Sequence, residues 1–376
     1  MSFLPRSSPL IRICPVMLCL LLCAAVAAQE KPARPEQNGK PQKIEEQEGT
    51  LRINTELVSI DVNVTDRAGL KNAPLLRAED FAVYEDGVPQ RVSNFSTTEV
   101  PFNLVLLIDT SGSTSDDLAL IRRAALRFLD ELRPQDRVAV VAFSEPIELL
   151  EDLTSSREKV EQALGRLQPG TGSAVYDAVL LALDEVLKNV QGRKAVIALT
   201  DGVDSFGQST YEQLLPAVER SGAALYFLEV DTEAFTEAGM LRDCYDNSHF
   251  EFSAKQLKKF YAETESPVNK RRIRFDTHCI IPKDERKQIN HQLYESARRE
   301  MRVMTDKTGG RVYPVKTLEQ LGPAYERIAA ELRTQYSIGY YPTNDRHDGT
   351  WRKLRVEVRR QGWVAKTRPG YRAPRN

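Results

Sequence analysis

The run Leu104-Val-Leu-Leu-Ile108, followed at once by Asp-Thr-Ser-Gly-Ser113, constrains this chain more than any other stretch. Five consecutive apolar residues bounded by polar ones describe a strand buried on both faces, the kind that fills the middle of a parallel sheet. The strand delivers Asp109, Ser111 and Ser113 into a loop, and Gly112 lets the backbone turn sharply there. Ser115 stands where it can cap a following helix whose first turn holds Asp116 and Asp117. Leu118, Ile121, Ala125, Phe128 and Leu132 then recur along one helical face. Three oxygen-bearing side chains are thus expected at the carboxyl end of a central strand, where open α/β sheets bind ligands.

The same texture repeats downstream. Val138–Phe143 reads as a second buried strand and Ile147–Leu150 as an edge strand, while Val160, Leu164 and Leu167 suit an amphipathic helix. Tyr176–Val190 reads as a helix with Val179, Leu183, Val186 and Leu187 inward, and Ala195–Leu199 as a strand ending in Thr200-Asp201-Gly202. Tyr211–Arg220 is expected to be helical and Leu225–Val230 extended. Such alternation predicts an α/β fold, a doubly wound and mostly parallel sheet with helices on both faces. Between about 231 and 297 the regularity fails. That segment carries the basic run Lys270–Arg274, read as a solvated face, and is expected to be an insertion that partly rebuilds a helix ending with Gln292–Lys307. Leu318–Leu332 restores helical order, with Thr317 and Gln320 spaced as a capping box and Gly322-Pro323 expected to kink or restart the helix.

Both flanks read as β. Val58, Ile60, Val62 and Val64 alternate with Ser59, Asp61 and Asn63; Phe81–Tyr84 and Val92–Phe95 follow, with the Asp-Gly of a hairpin turn between them. Tyr336–Tyr341, Leu354–Val358 and Trp363–Lys366 supply strands at the other end. Neither set is enough for a stable sheet alone, so the two are expected to combine into one β-sandwich bracketing the α/β domain. The predicted division is a signal peptide over 1–28, a disordered linker over 29–48, the first part of a β domain over 49–100, an α/β domain over 101–334 with the insertion at about 231–297, and the strands completing the β domain over 335–376.

Composition excludes several classes. With 52 basic and 53 acidic residues there is no overall field to draw nucleic acid or a membrane surface. Arg6 and Arg12 precede an apolar run from Val16 to Val26 and the small residues Ala25–Ala28, the pattern of a secretory signal too short for a confident spanning helix, although an uncleaved anchor is the alternative. The mature chain is therefore expected to be secreted or periplasmic, with association at the cell surface as a variant of that reading, and without a membrane span. Removing the signal leaves Cys244 and Cys279, which can bridge or stay as two thiols in a compartment that permits disulfides. His249 and His278 lie nearby, but no CxxC or HxxxH pair accompanies them, which counts against zinc.

The polar residues at strand ends form a consistent set: Asp109, Ser111 and Ser113 from the first loop, Ser173 with Thr171 from the loop entering the Tyr176 helix, and Asp201 after a later strand. Two carboxylates with several hydroxyls, and no His or Cys, make a hard oxygen shell suited to Mg²⁺, Ca²⁺ or Mn²⁺. Asp177 reads as a surface or capping residue, and Ser173 could instead cap the helix it precedes.

Asp109-x-Ser111-x-Ser113, the Ser173-Ala-Val-Tyr-Asp177 loop and Thr200-Asp201-Gly202 resemble the metal-ion-dependent adhesion site of the von Willebrand factor type A family. The resemblance covers roughly Phe102–Val230, and the flanking Glu85-Asp-Gly-Val-Pro89 and Gly339-Tyr-Tyr-Pro342 are similar to secreted bacterial proteins related to that family. It implies Asp109, Ser111 and Ser113 as first-loop ligands, Ser173 where the family usually has Thr, and Asp201 as the third-loop acid acting through a water. It also implies a non-enzymatic module that captures an Asp or Glu carboxylate of a protein partner through the ion. Two other readings remain: a Mg²⁺-dependent phosphatase of haloacid dehalogenase type, and a structural module whose metal only ties down a loop. The phosphatase chemistry wants an acid two residues after the nucleophile, and position 111 is Ser.

Overall fold

The computed structural model describes residues 57–67, 75–97, 101–112, 118–242, 250–263 and 280–375. Ser113, Cys244, Cys279, His249, His278, the basic run at 270–274, the signal and the linker lie outside the described residues.

The amino-terminal strands are β1 (Val58–Asp66), β2 (Phe81–Glu85), β3 (Val88–Gln90) and β4 (Val92–Ser96). β5 (Phe102–Asp109) follows, then α1 (Leu118–Asp130), β6 (Arg137–Phe143), β7 (Ile147–Thr154) and α2 (Arg157–Gly165). Next come α3 (Val175–Leu180), β8 (Arg193–Thr200), α4 (Tyr211–Arg220) and β9 (Ala224–Val230). The segment beyond β9 holds α5 (Glu233–Met240), α6 (Ala254–Glu263) and α7 (Lys283–Thr308), before β10 (Arg311–Val315) and α8 (Leu321–Arg333). β11 (Tyr336–Tyr340), β12 (Trp351–Val358), β13 (Trp363–Lys366) and β14 (Gly370–Arg372) close the described chain.

Six strands form the central sheet in the order β10-β9-β8-β5-β6-β7, with every pairing parallel except the β6–β7 edge. β5 shows why its sequence reads as an unbroken apolar run. Leu104, Leu106 and Ile108 point into one hydrophobic layer with Ile121, Ala125 and Phe128 of α1 and Tyr325 and Ile328 of α8. Val105 and Leu107 point into the opposite layer with Val175 and Val179 of α3, Leu214 of α4 and Met301 of α7. Each such side chain withdrawn from water contributes about 1.5–3 kcal/mol, so a period-two strand buried on both sides has no position left for a polar residue until Asp109.

The flanks form two four-stranded antiparallel sheets, ordered β13-β1-β11-β4 and β14-β12-β2-β3, over a shared core of Ile60, Val62, Phe81, Val83, Tyr336, Ile338 and Val356. Buried Glu85 accepts hydrogen bonds from Tyr340 Oη (2.6 Å) and Tyr371 Oη (2.8 Å), which ties the sandwich across its interior. The hairpin at Asp86-Gly87 takes positive φ at both positions (49° and 83°), as a type I′ turn requires. It pairs β2 with β3, however, and β4 leaves to pair with β11, so the expected hairpin between Phe81–Tyr84 and Val92–Phe95 is replaced by a sheet change.

Other departures have identifiable causes. β10 was not expected, because Pro314 breaks the strand pattern; it is an edge strand, where a missing N–H costs little. The segment after β9 is more regular than its sequence suggests. α7 is one helix from Lys283, and its apolar stripe of Ile289, Leu293, Ala297, Met301 and Met304 is diluted by buried Arg286, Asn290, Ser296 and Glu300. The Tyr176 helix changes to π geometry over Leu181–Val186 and ends there. Thr317 makes no side-chain cap; Gln320 instead accepts from Lys316 N at 2.9 Å, and α8 restarts with Gly322-Pro323 in its first turn, where proline is tolerated. No described helix is long and apolar enough to cross a membrane.

Candidate functional site

Three loops at the carboxyl end of the parallel sheet converge on Asp109. As the last residue of β5 it is fully buried, although a carboxylate is among the groups least suited to burial. Its Oδ2 accepts from Thr200 Oγ1 at 2.7 Å and from Ser173 Oγ at 3.0 Å, and its Oδ1 accepts from the Ser111 N–H at 3.0 Å. The Ser111 hydroxyl also bonds to this carboxyl. Ser173 therefore faces Asp109 and does not cap α3, whose cap position, Ala174, carries no side-chain bond.

Asp201 follows β8 and is also buried. Its Oδ1 accepts from Val203 N (2.9 Å), and its Oδ2 accepts from Thr232 Oγ1 (2.6 Å) and Tyr294 Oη (3.3 Å). Thr232 precedes α5 and Tyr294 lies on α7, so the segment after β9 helps to orient this acid. Burial, and after it the charge of Asp201, pushes the Asp109 carboxyl up to about 7, against the pull of the Ser111 and Thr200 hydrogen bonds. Two like charges held close in a dry place favour either a proton or a cation between them.

Backbone contacts fix the loops. Thr110 N donates to Phe143 O (3.0 Å), Gly170 N to Thr110 O (2.8 Å), and Ser205 N and Phe206 N both to Ser173 O (2.9 Å). Gly172 sits at φ +62°, and a Cβ there would lie 2.0 Å from the Phe206 ring, so only glycine allows Phe206 to close over the loop beside Ser173. Phe206 itself remains 51% exposed. Asp177 accepts from Gln208 N (2.6 Å) and Ser209 N (3.0 Å), a loop-holding role. Buried Asp204 is ion-paired with Lys255 of α6 and accepts from Tyr176 N at 3.2 Å. Lys255 also donates to Gly207 O and Ser209 O, so α6 clasps the loop after β8.

Of the residues singled out from sequence, Ser111 and Ser173 hydrogen-bond to Asp109 and Asp201 acts on it through its charge, while Ser113 lies outside the described residues. Among the described residues no group of three or more His, Cys, Asp or Glu side chains is placed to hold a metal ion. Thr200 was missed as a partner of Asp109, and Thr232, Tyr294 and Lys255 were missed altogether. Thr200 had a signal, since it ends the strand that delivers Asp201. The others come from elements whose placement depends on packing.

Residues 104–203 match the family model for the von Willebrand factor type A domain. The chain contains a von Willebrand factor type A domain. Inter-alpha-trypsin inhibitor heavy chain H4 of Bos taurus is 26% identical over 198 residues, covering 46% of this chain and 21% of the relative. The uncharacterized protein sll0103 of Synechocystis is 30% identical over 114 residues, covering 29% of this chain and 27% of the relative. This chain thus spans well under two thirds of those relatives. Among solved structures, a von Willebrand factor type A protein from Catenulispora acidiphila matches over 86% of this chain and 74% of its own, at 13% identity and TM-score 0.40. Proximal thread matrix protein 1 from the mussel byssus, described with a zinc-occupied metal-ion-dependent adhesion motif, matches over 36% of this chain and 38% of its own, at 20% identity and TM-score 0.33. The matched segment places Asp109-x-Ser111 at the carboxyl end of the central strand β5.

Proposed function

We propose that this chain is a secreted or periplasmic protein-binding module that holds a divalent cation with Asp109, Ser111, Ser113, Ser173 and Asp201 and uses it to capture an acidic side chain of a partner. The carrying observation is the convergence of three loops on the fully buried Asp109 carboxyl, with Asp201 close enough to raise it. The donor set fits a hard ion such as Mg²⁺, Ca²⁺ or Mn²⁺: two carboxylates and three hydroxyls, no sulfur and no imidazole. Bound there, the ion would be balanced by these two carboxylates and, through an open coordination position, would supply a Lewis-acidic anchor for a carboxylate. Asp109 and the hydroxyls would hold it, and Thr232 and Tyr294 would keep Asp201 turned toward it.

Binding without catalysis is the reading the side chains favour. Serine at position 111 supplies no general acid, and Asp204, the other acid after β8, is committed to Lys255 and the Tyr176 N–H. The module is read as an α/β domain over 101–334 embedded in a β domain drawn from both flanks. The test is a pull-down from cell-envelope extract with Mg²⁺ or with chelator, alongside calorimetric Mg²⁺ titration. Capture that needs the ion and disappears in Asp109→Ala, with the fold intact by circular dichroism, supports the proposal. Absence of any Mg²⁺ or Ca²⁺ binding, or Asp109-dependent turnover of a phosphoester, overturns it.

A further inference from the structure

At the opposite end of the central sheet from Asp109, a cavity of about 330 Å³ lies where the first residues of β8 meet β1 and the segment between β13 and β14. Its walls carry the side chains of Arg193, Lys194, Lys307 and Arg368, with Lys188 on the lip, against two acids, Asp61 and Glu219. Glu219 is taken by Lys307 at 2.6 Å. Asp61 is left to face Arg193, Lys194 and Arg368 together, yet no ion pair within 4 Å joins it to any of them among the described residues. The space between these groups is therefore positively charged on balance and only partly compensated.

The donors tell the same story. Arg193 is almost completely buried; its Nη2 is spent on Leu332 O and on Gln335, and its guanidinium lies over the Phe102 ring, but its Nε has no acceptor. Arg368 donates to Ser59 O at 2.8 Å, and its Nε is likewise buried without an acceptor. Lys194 Nζ makes no hydrogen bond within the described structure, although the residue is half-buried. Burial lowers all three cations from their ordinary values, Arg193 to about 10. The two Nε atoms are closed off by protein, so what the cavity offers an anion is the charge of Arg193, the Arg368 edge that lies toward Gly222 in its wall, and the Lys194 ammonium.

We propose that this cavity binds a phosphate or sulfate group, held by Arg193, Lys194 and Arg368, on a site separate from the metal-binding face. The volume exceeds that of the bare ion, so a phosphorylated or sulfated sugar fits as well as the free ion.

The test is calorimetric titration of the purified chain in EDTA, at constant ionic strength, with inorganic phosphate, sulfate, glucose 6-phosphate and chloride as separate arms. Saturable binding of phosphate or sulfate with one site per chain, absent for chloride, is expected. A single charge-assisted contact removed in Lys194→Gln should weaken it about tenfold. Arg368→Lys, which keeps charge but loses the fork, should weaken it as well, with unchanged thermal unfolding in ligand-free buffer as the fold control. Tighter binding of glucose 6-phosphate than of inorganic phosphate assigns the site to a sugar monoester, and the reverse assigns it to the free ion. Equal response to chloride, or full affinity in Lys194→Gln, overturns the proposal. Because chelator is present and Asp109→Ala should bind phosphate normally, failure here leaves the metal proposal untouched.

Discussion

Replacing Asp109 by Asn should favour the metal-free protein more at alkaline pH than at acid pH. The carboxyl is fully buried and held at about 7 by burial and by Asp201, whereas the unfolded chain releases that proton near 3.9. Between those values the folded state carries a proton that the unfolded state has lost, so stability falls as pH rises through this window and levels off above about 7. At about 1.4 kcal/mol per unit, the interval from pH 5 to the plateau removes roughly 2–3 kcal/mol from the wild type and nothing from the variant at this position. Asn keeps an acceptor for Thr200 Oγ1 and Ser173 Oγ but sets its NH2 against the Ser111 N–H, a cost that does not depend on pH. Urea unfolding of both proteins in EDTA at pH 5 and pH 8 measures the difference of differences, in which titrating groups that do not interact with Asp109 cancel. A gain for Asp109→Asn that is the same at both pH values, or larger at pH 5, would refute the reasoning. Mg²⁺ should reverse the ranking at pH 8, by stabilising the wild type and not the variant.

Three further outcomes follow from contacts around the site. Lys255→Met strands the buried Asp204 carboxylate and should cost about 3 kcal/mol, at the low end for a broken buried pair because Lys255 keeps some exposure; Asp204→Asn in the same chain should recover at least about 1 kcal/mol in urea unfolding. Tyr294→Phe removes the hydroxyl shared by Asp201, Thr232 and Thr236 and should cost about 1 kcal/mol while weakening Mg²⁺ binding measured by calorimetry; unchanged Mg²⁺ affinity would argue against a part for α7 in orienting Asp201. Gly172→Ala should destabilise by about 1–2 kcal/mol from the left-handed backbone alone, and Phe206→Ala should relieve only the additional steric part, as a thermal-shift comparison of the single and double variants would show.

The sequence by itself determined the middle of the central sheet and one side of its site. Leu104–Ile108 had to be a strand buried on both faces, because a period-two element with no polar position can only lie between two layers. Asp109 and Ser111 had to emerge at its carboxyl end, and Thr200-Asp201 at the end of a like strand. What only tertiary structure decided was everything that depends on distant partners. The strand at Arg311–Val315 carries Pro314, which is compatible with a strand because β10 lies at the sheet edge. The stripe of α7 was obscured because Arg286, Asn290, Ser296 and Glu300 are buried against polar partners, and a hydropathy pattern cannot distinguish a satisfied polar group from an exposed one. Tyr294 and Thr232 reach Asp201 from 93 and 31 residues away, and the Asp109–Ser173 contact spans 64. Local propensity carries no information over such separations; only the packing of helices against the sheet brings these side chains to one carboxylate.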